Sequence, residues 1–339
     1  MKIAIHNREG GFTERWVTYC QQNGIEYLLV NCFENNILEL FKKESITHLM
    51  WHLNHASSQD LMVYPYVMNA ADNMDIKTFP NFNTRWHFDD KVAQKYLFES
   101  ICAPLVKSTV FYEKEDAIKF LNTSELPLVA KLKRGAGSTN VKLINSKTEG
   151  EEYIRKLFSE GIVSTATALG NFDQKLRIAK QIKDPIKLAK KTIGFFKKNK
   201  RERSLANAEK GYVYFQEFMP NNAFDTRIIV VGEIAFGIRR FNKENDFRAS
   251  GSGKLDFDVS KIDLETVKIA FNVTEKIGGQ CLAFDFVYDK NKVPKIVEVC
   301  FGFSMKAYDA CPGYWKKDLS FVAGTFNPQA IMMENFLKE

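Results

Sequence analysis

At 339 residues the chain is long enough for two or three domains and a large buried core. Its 45% hydrophobic and 26% charged residues are ordinary for a soluble globular protein, and no apolar run reaches the length of a membrane span. The net charge of +7 is local: residues 171 to 210 hold thirteen Lys or Arg against four Asp or Glu, so the rest of the chain is slightly acidic and basicity does not describe the whole protein.

The opening MKIAIHN reads as a first strand rather than a signal peptide, because no long apolar run follows Lys2. Cys20, Cys32, Cys102, Cys281, Cys300 and Cys311 form no C-x-x-C pair, which predicts reduced thiols and a cytoplasmic protein. Among His6, His48, His52, His55 and His87 the one close pair is His52-x-x-His55. No further ligands at zinc spacing accompany it, so loop or core histidines are expected.

Strand KIAIHN leads to helix FTERWVTYCQQNG with Gly24 as its C-cap, then strand EYLLVNC, helix ILELFKKES and strand THLMWHLN. This alternation predicts a parallel sheet covered by helices. Gly10-Gly11 after the first strand is not a dinucleotide fingerprint. Helix KVAQKYLFESI, strand STVFY and helix KEDAIKFLN follow. Next comes LVAKLK-RGAGSTN-VKLIN, a strand, a Gly-rich loop and a strand. The loop is either a plain hairpin turn or a phosphate cradle, and it is not a Walker loop, since G-K-[ST] and a following helix are missing. Alternation places Lys131 and Lys133 on one face of the first strand.

Helix EGEEYIRKLFSEG precedes the basic segment, broken near Pro185 and carrying Phe195 and Phe196 beside Lys197 and Lys198. It reads as a solvated helical insertion or as an amphipathic surface touching a membrane or a lipid-linked substrate. No second basic patch or known module accompanies it, so nucleic acid is not expected. Strand YVYFQEFMP, a hairpin DTRIIVVGEIAFGIRRFN turning at Val231-Gly232-Glu233, the polar loop DFRASGSGKLDFD and helix LETVKIAFNVTEKIGG complete the approach to the last motif. The tail carries a Pro-Gly turn among aromatics and ends in a helix.

That motif is LAFDFVYDKNKVPKIVEVCFGF, Leu282 to Phe303, a β-hairpin turning at Asp289 to Lys292. If Tyr288 pairs with Lys295, Asp285 lies opposite Glu298. Facing carboxylates repel unless positive charge sits between them, and a hard divalent cation is a natural candidate. The other reading is one exposed carboxylate on each strand and no metal.

The ordered set LVAKLKRGAGSTNVKLI, VYFQEFM, FDTRIIVVGEIAFGIRR, DFRASGSGK, AFDFVYD and KIVEVCFGF resembles the ATP-grasp superfamily. Within it, the set is most similar to the branch of ribosomal-protein glutamate ligases and glutathione synthetases. The resemblance spans roughly residues 90 to 303. It implies an α/β protein (α+β in the ATP-grasp part): an N-terminal parallel α/β domain at 1–88, a small ATP-grasp subdomain at 89–218 with the basic insertion near 171–210, and a C-terminal subdomain at 219–339. ATP would be clasped between the last two.

By resemblance Lys131 holds ATP phosphates, and Lys91 matches an earlier ATP-contacting lysine. The loop Gly135 to Thr139, including Gly137 and Ser138, closes over them. Glu217 and Phe218 form the adenine hinge, and Asp225 is a nucleotide-contacting acid. Arg240 (or Arg239) and Arg248 stand near the transferred phosphate, and Asp285 and Glu298 hold magnesium, with manganese as the alternative. The family usually has Glu-x-Asn where this chain has Glu298-Val299-Cys300, and a thiol is a poor ligand for magnesium.

The implied activity is ATP-dependent carboxylate–amine ligation through an acyl phosphate, with small-molecule carboxylate and amine substrates. The segment DACPGYWKKDLSF is similar to ATP-grasp proteins of surface-polysaccharide biosynthesis, which implies an amine joined to a sugar carboxylate. A kinase acting on a hydroxyl and a non-catalytic nucleotide-binding module are the alternatives. Specificity is expected in residues 1 to 88 and 301 to 318, with Lys306, Tyr308 and Trp315 as candidates. The sequence does not set the oligomeric state.

Overall fold

A computed structural model describes residues 1–135, 140–163, 208–243, 246–249 and 253–338. Gly137, Ser138 and the basic segment through residue 207 lie outside the described residues. The fold is mixed α/β, built on three main sheets.

The first sheet is parallel, in the order β2-β1-β3-β4, from β1 (Ile3–His6), β2 (Tyr27–Val30), β3 (His48–Met50) and β4 (Lys77–Phe79). The expected alternation is present, with helices Thr13–Gln22 and Ile37–Lys43 between the first three strands. Gly24, just past the first helix, has φ +65, the left-handed conformation expected of a helix stop. Helix Ser58–Asp72 and β4 escape the sequence pattern because Pro65 sits inside the helix and blurs its periodicity.

The second sheet is antiparallel: β5 (Ser108–Phe111), β6 (Leu128–Lys131), β7 (Val141–Ile144) and, between β5 and β6, the later strand Val213–Glu217. Helices Lys114–Thr123 and Lys147–Leu157 cover one face and bury Leu121, Ile154 and Leu157 with Val213 and Phe215. A short ladder joins β8 (Ile162–Val163) to β9 (Ala208–Glu209). In chain order the strand at Val213–Glu217 is β10.

The third sheet runs β15-β14-β11-β12-β16-β17, with β13 paired to β12. Its strands are β11 (Phe224–Val231), β12 (Ile234–Phe241), β13 (Leu255–Asp256), β14 (Cys281–Tyr288), β15 (Pro294–Cys300), β16 (Gly313–Lys316) and β17 (Phe321–Ala323). Strand alternation gives this sheet two different faces. Ile228, Val230, Leu282, Phe284 and Phe286 point to helix Leu264–Ile277 and bury Val267, Ala270 and Phe271. On the opposite face Ile229, Val231, Phe236, Ile238, Cys281 and Ala283 join the core of the first sheet. Helix Pro328–Phe336 seals that junction with Met332, Met333 and Phe336. Arg15 crosses it too, bidentate to Asp309 at 2.7 Å and donating to Gln329 Oε1 at 2.9 Å.

Candidate functional site

The face that packs on the first sheet turns polar at its other end. Asp225 and Arg227 follow each other at period two on β11, opposite Arg240 on β12 and Asp285 on β14. Arg227 and Asp285 form a two-toothed ion pair, one contact 2.6 Å. Arg240 reaches Asp285 Oδ2 at 2.8 Å and holds Asp225 through contacts of 2.7 and 2.5 Å. Burial works against ionisation of Asp285, yet Arg227 and Arg240 outweigh it and hold the carboxyl down to about 2. Burial likewise opposes the Arg227 charge, and Asp285 outweighs it.

Asp285 does stand opposite Glu298, by a different route from the simple hairpin register. Tyr288 pairs with Pro294 and Phe286 with Ile296; a β-bulge then shifts the register by one, leaving Val297 as the extra residue. The positive charge that this carboxylate pair requires is supplied on the Asp285 side by Arg227 and Arg240. Glu298 faces Lys91 Nζ at 3.7 Å. As a magnesium site the protein donors are short. Asp285 is committed to two guanidiniums, Cys300 offers sulfur, and among the described residues no group of three or more His, Cys, Asp or Glu is gathered as for a metal.

Across from this end, Lys131 leaves the last position of β6 and donates to Gln216 Oε1 on β10 at 2.6 Å. It is 4% exposed. Burial is the main cause that lowers its ammonium to about 8, with Glu298 and Asp285 pulling the other way. Lys91 opens helix Lys91–Ser100, capped by Asp90, and its ammonium donates to the Gly135 carbonyl at 2.8 Å. The Gly135 N–H donates to Asp89 Oδ1 at 3.1 Å, and burial lifts the Asp89 carboxyl to about 7. Gly135 has φ +123, and a Cβ there would stand 2.3 Å from Asn140 Nδ2, so the first residue of the expected phosphate loop has to be glycine.

These groups line one open cleft between the second and third sheets, with about 830 Å³ of empty volume. Lys91, Lys131, Gly135, Glu217, Phe218, Asp225, Arg240, Arg248, Asp285 and Glu298 all border it. Phe218, Met219 and Val287 give one end apolar walls. Arg248 is folded onto Asp246, with contacts of 2.8 Å.

Other expected residues fall elsewhere. Arg239 occupies the opposite face from Arg240, where it pairs with Asp256 and lies 4.6 Å over the Phe224 ring. Lys133 does not border the cleft, because β6 ends at Lys131; its N–H is tied to Glu209 at 3.0 Å and to the Tyr212 hydroxyl at 2.7 Å. Trp315 is a core residue stacked edge-on to Phe321, and Lys306 is exposed. Tyr308 is buried, and Arg227 and Arg240 are close enough to act electrostatically on its hydroxyl, so of the three specificity candidates it alone adjoins the arginine network. Sequence reasoning missed Arg227, although its place two residues after Asp225 already puts it on the same face. His52 is a core histidine as expected: its ring stacks on Phe12 at 3.7 Å and its Nδ1 accepts from the Phe12 N–H at 2.9 Å.

Residues 178–310 match the RimK-like ATP-grasp domain family. No curated protein matches the sequence. Similar solved structures include the biotin carboxylase domain of Hydrogenobacter thermophilus 2-oxoglutarate carboxylase, complexed with MgADP, ADP and bicarbonate (TM-score 0.61, 9% identity, 100% of this chain and 70% of that one). D-alanine–D-alanine ligase from Bacillus anthracis complexed with ATP matches with TM-score 0.57 and 12% identity over 100% of this chain and 97% of that one. An ATP-grasp RimK domain protein from Sphaerobacter thermophilus matches with TM-score 0.53 and 12% identity over the full length of both chains. The chain therefore has the ATP-grasp fold, and its residues 178–310 are similar to the RimK-like ATP-grasp domain family.

Proposed function

We propose that the protein is an ATP-dependent carboxylate–amine ligase that works through an acyl phosphate. The observation that carries this reading is the convergence of Lys91, Lys131 and Arg240 on one cleft with an apolar end. Phosphoryl transfer needs charge neutralisation and alignment more than a protein nucleophile. The apolar end at Phe218 and Met219 suits an adenine ring. In this reading Lys91 and Lys131 hold the phosphates and the loop that begins at Gly135 closes over them. A substrate carboxylate oxygen attacks the γ-phosphorus and the bond to ADP breaks. The amine nitrogen then attacks the acyl carbon, inorganic phosphate leaves and the nitrogen loses a proton. Arg240, held by Asp225 and Asp285, supplies fixed positive charge where the transferring group passes.

The finer reading, an amine joined to a sugar carboxylate, rests on the segment Asp309 to Phe321 alone, where Cys311 and Trp315 serve the core. Contact of the basic insertion with a membrane or lipid-linked substrate is a separate proposal, removed if deletion of residues 175 to 203 leaves liposome association unchanged. The ligase reading is tested by phosphate release from ATP against pools of carboxylates and amines. Release that requires both pools is expected. Turnover with a hydroxylated acceptor alone would make the protein a kinase, and nucleotide binding with no release in any pool would make it a binding module.

A further inference from the structure

Each arginine of the polar network described above has an acid partner, and Lys91 has one in Glu298. Among the described residues Arg8, like Lys131, stands near that network with no carboxylate in ion-pair contact. Arg8 leaves the loop after β1 and is half-buried against the first sheet. Its Nη1 donates to the carbonyls of His52 at 2.7 Å and Leu53 at 2.9 Å. Among the described residues no carboxylate lies within 4 Å of it. Asp60, the nearby acid, is engaged by the Asn54 N–H at 2.9 Å and by the Trp51 indole. Two carbonyls on one nitrogen orient the guanidinium, and among the described residues no hydrogen-bond acceptor engages its Nε–Nη2 edge.

The position of that edge follows from contacts across the junction of the first and third sheets. A Cβ on Gly11 would stand 3.1 Å from Arg8 Cδ and 2.8 Å from His52 Nδ1, so the loop is pressed onto both side chains. On its other side His52 Nε2 is 3.3 Å from where a Gly302 Cβ would be, and Gly302 adjoins Cys300, one strand alternation beyond Glu298. Arg8 thus lies beyond Glu298 on the Cys300 side of the arginine network, adjoining but not among the residues that line the cleft. His55 stands there as well, and burial, with Arg8 and Arg227 adding to it, keeps its imidazole neutral by lowering it to about 4. A cation left without an acid costs free energy, and an incoming anion repays it.

We propose that Arg8 binds a carboxylate of the non-nucleotide substrate, the fixed guanidinium edge pairing with both carboxylate oxygens. This assignment rests on the ligase reading and narrows it to substrates that present a carboxylate beyond Glu298, on the side of Cys300.

The test uses trifluoroacetate as the carboxylate probe, titrated into the full-length protein with saturating ADP, so that the nucleotide phosphates already occupy the lysine end. Fluorine line broadening reads binding, and a fluorescent ATP analogue reads the nucleotide site in parallel. Wild type is expected to bind trifluoroacetate and Arg8→Gln to bind it at least tenfold more weakly, with nucleotide affinity unchanged within twofold. Arg8→Lys, which keeps the charge and loses the bidentate edge, is expected to fall between them, and it decides the matter should the glutamine variant not fold. Binding equal in wild type and Arg8→Lys, binding retained in Arg8→Gln, or no binding in wild type overturns the proposal. Failure of wild type to bind the nucleotide analogue would instead sink the ligase reading.

Discussion

Lys131 is a buried ammonium whose neighbours compensate it incompletely, and that sets a pH signature. Burial first of all brings its folded value down to about 8 from the ordinary 10.5. Between those values the unfolded chain binds more protons than the folded one, so this group makes stability rise with pH across that window, and its charging penalty is complete below pH 8. A phosphate set beside it favours the charged form. Nucleotide binding should therefore take up a proton above pH 8, and affinity should weaken there by up to about tenfold per pH unit. Titration of a fluorescent ATP analogue from pH 6.5 to 10 should show this in wild type and a flat profile in Lys131→Arg; a flat wild-type profile would remove Lys131 from the phosphate site. Asp285 and Glu298 make a second contrast. Asp285→Asn strips two buried guanidiniums of their shared acid, which should cost about 3–5 kcal/mol in urea unfolding. Glu298→Gln loses only the 3.7 Å contact of a partly exposed side chain with Lys91 and should cost under about 1 kcal/mol. Equal losses, measured without nucleotide, would show the two carboxylates to be equivalent.

The elements that carry these side chains depend on a close approach of β11 and β12. A Cβ on Gly237 would stand 2.7 Å from the Arg227 carbonyl and 2.5 Å from Ile228 Cδ1. Gly237→Ala must therefore push β11 away at Arg227. The expected cost is about 1–3 kcal/mol of stability, together with loss of ATP turnover; a variant with wild-type stability and turnover would show that the strand position is not critical. Much of this layout was legible in the sequence, since alternation and turn residues mark the β11–β12 and β14–β15 hairpins, although the facing of Asp285 and Glu298 was reached through a Tyr288–Lys295 register that the structure replaces with Tyr288–Pro294 and a bulge. The bulge at Val297 was not, because one extra residue in a strand leaves no mark on composition. Arg227 was readable from its spacing to Asp225. That it rather than a cation would meet Asp285 was not, since cross-strand pairing between β11 and β14 joins residues 58 apart in the chain. Arg8 is harder still: its setting depends on how the first sheet docks on the third, and no local pattern encodes that.

At the scale of the whole molecule the first and third sheets share one core, so the residues that fix the cleft floor and those that hold the first sheet together are the same. Ile229, Phe236 and Ile238 lie in that core with Ile5, Trp16 and Trp51, only a few strand positions from Arg227 and Arg240. Helix Pro328–Phe336 closes it, with the Phe336 ring 5.2 Å from His48 and 5.9 Å from Phe79. Such a core predicts joint unfolding, since opening the seam exposes apolar area on both sheets at once. Phe336→Ala removes a nearly fully buried ring and should cost about 3–5 kcal/mol. Because the core is common, hydrogen exchange should report that loss equally in β1, on the first sheet, and in β12, on the third, while the second sheet, whose own core contains neither, keeps its protection under conditions where it opens independently. Loss of protection confined to β1, with β12 unchanged, would mean that the first sheet folds as a separate unit. In that case the position of Arg8 relative to Cys300 would be set by docking of two bodies rather than by a single packed core, and substrate binding at Arg8 would be the step most sensitive to mutations at the seam.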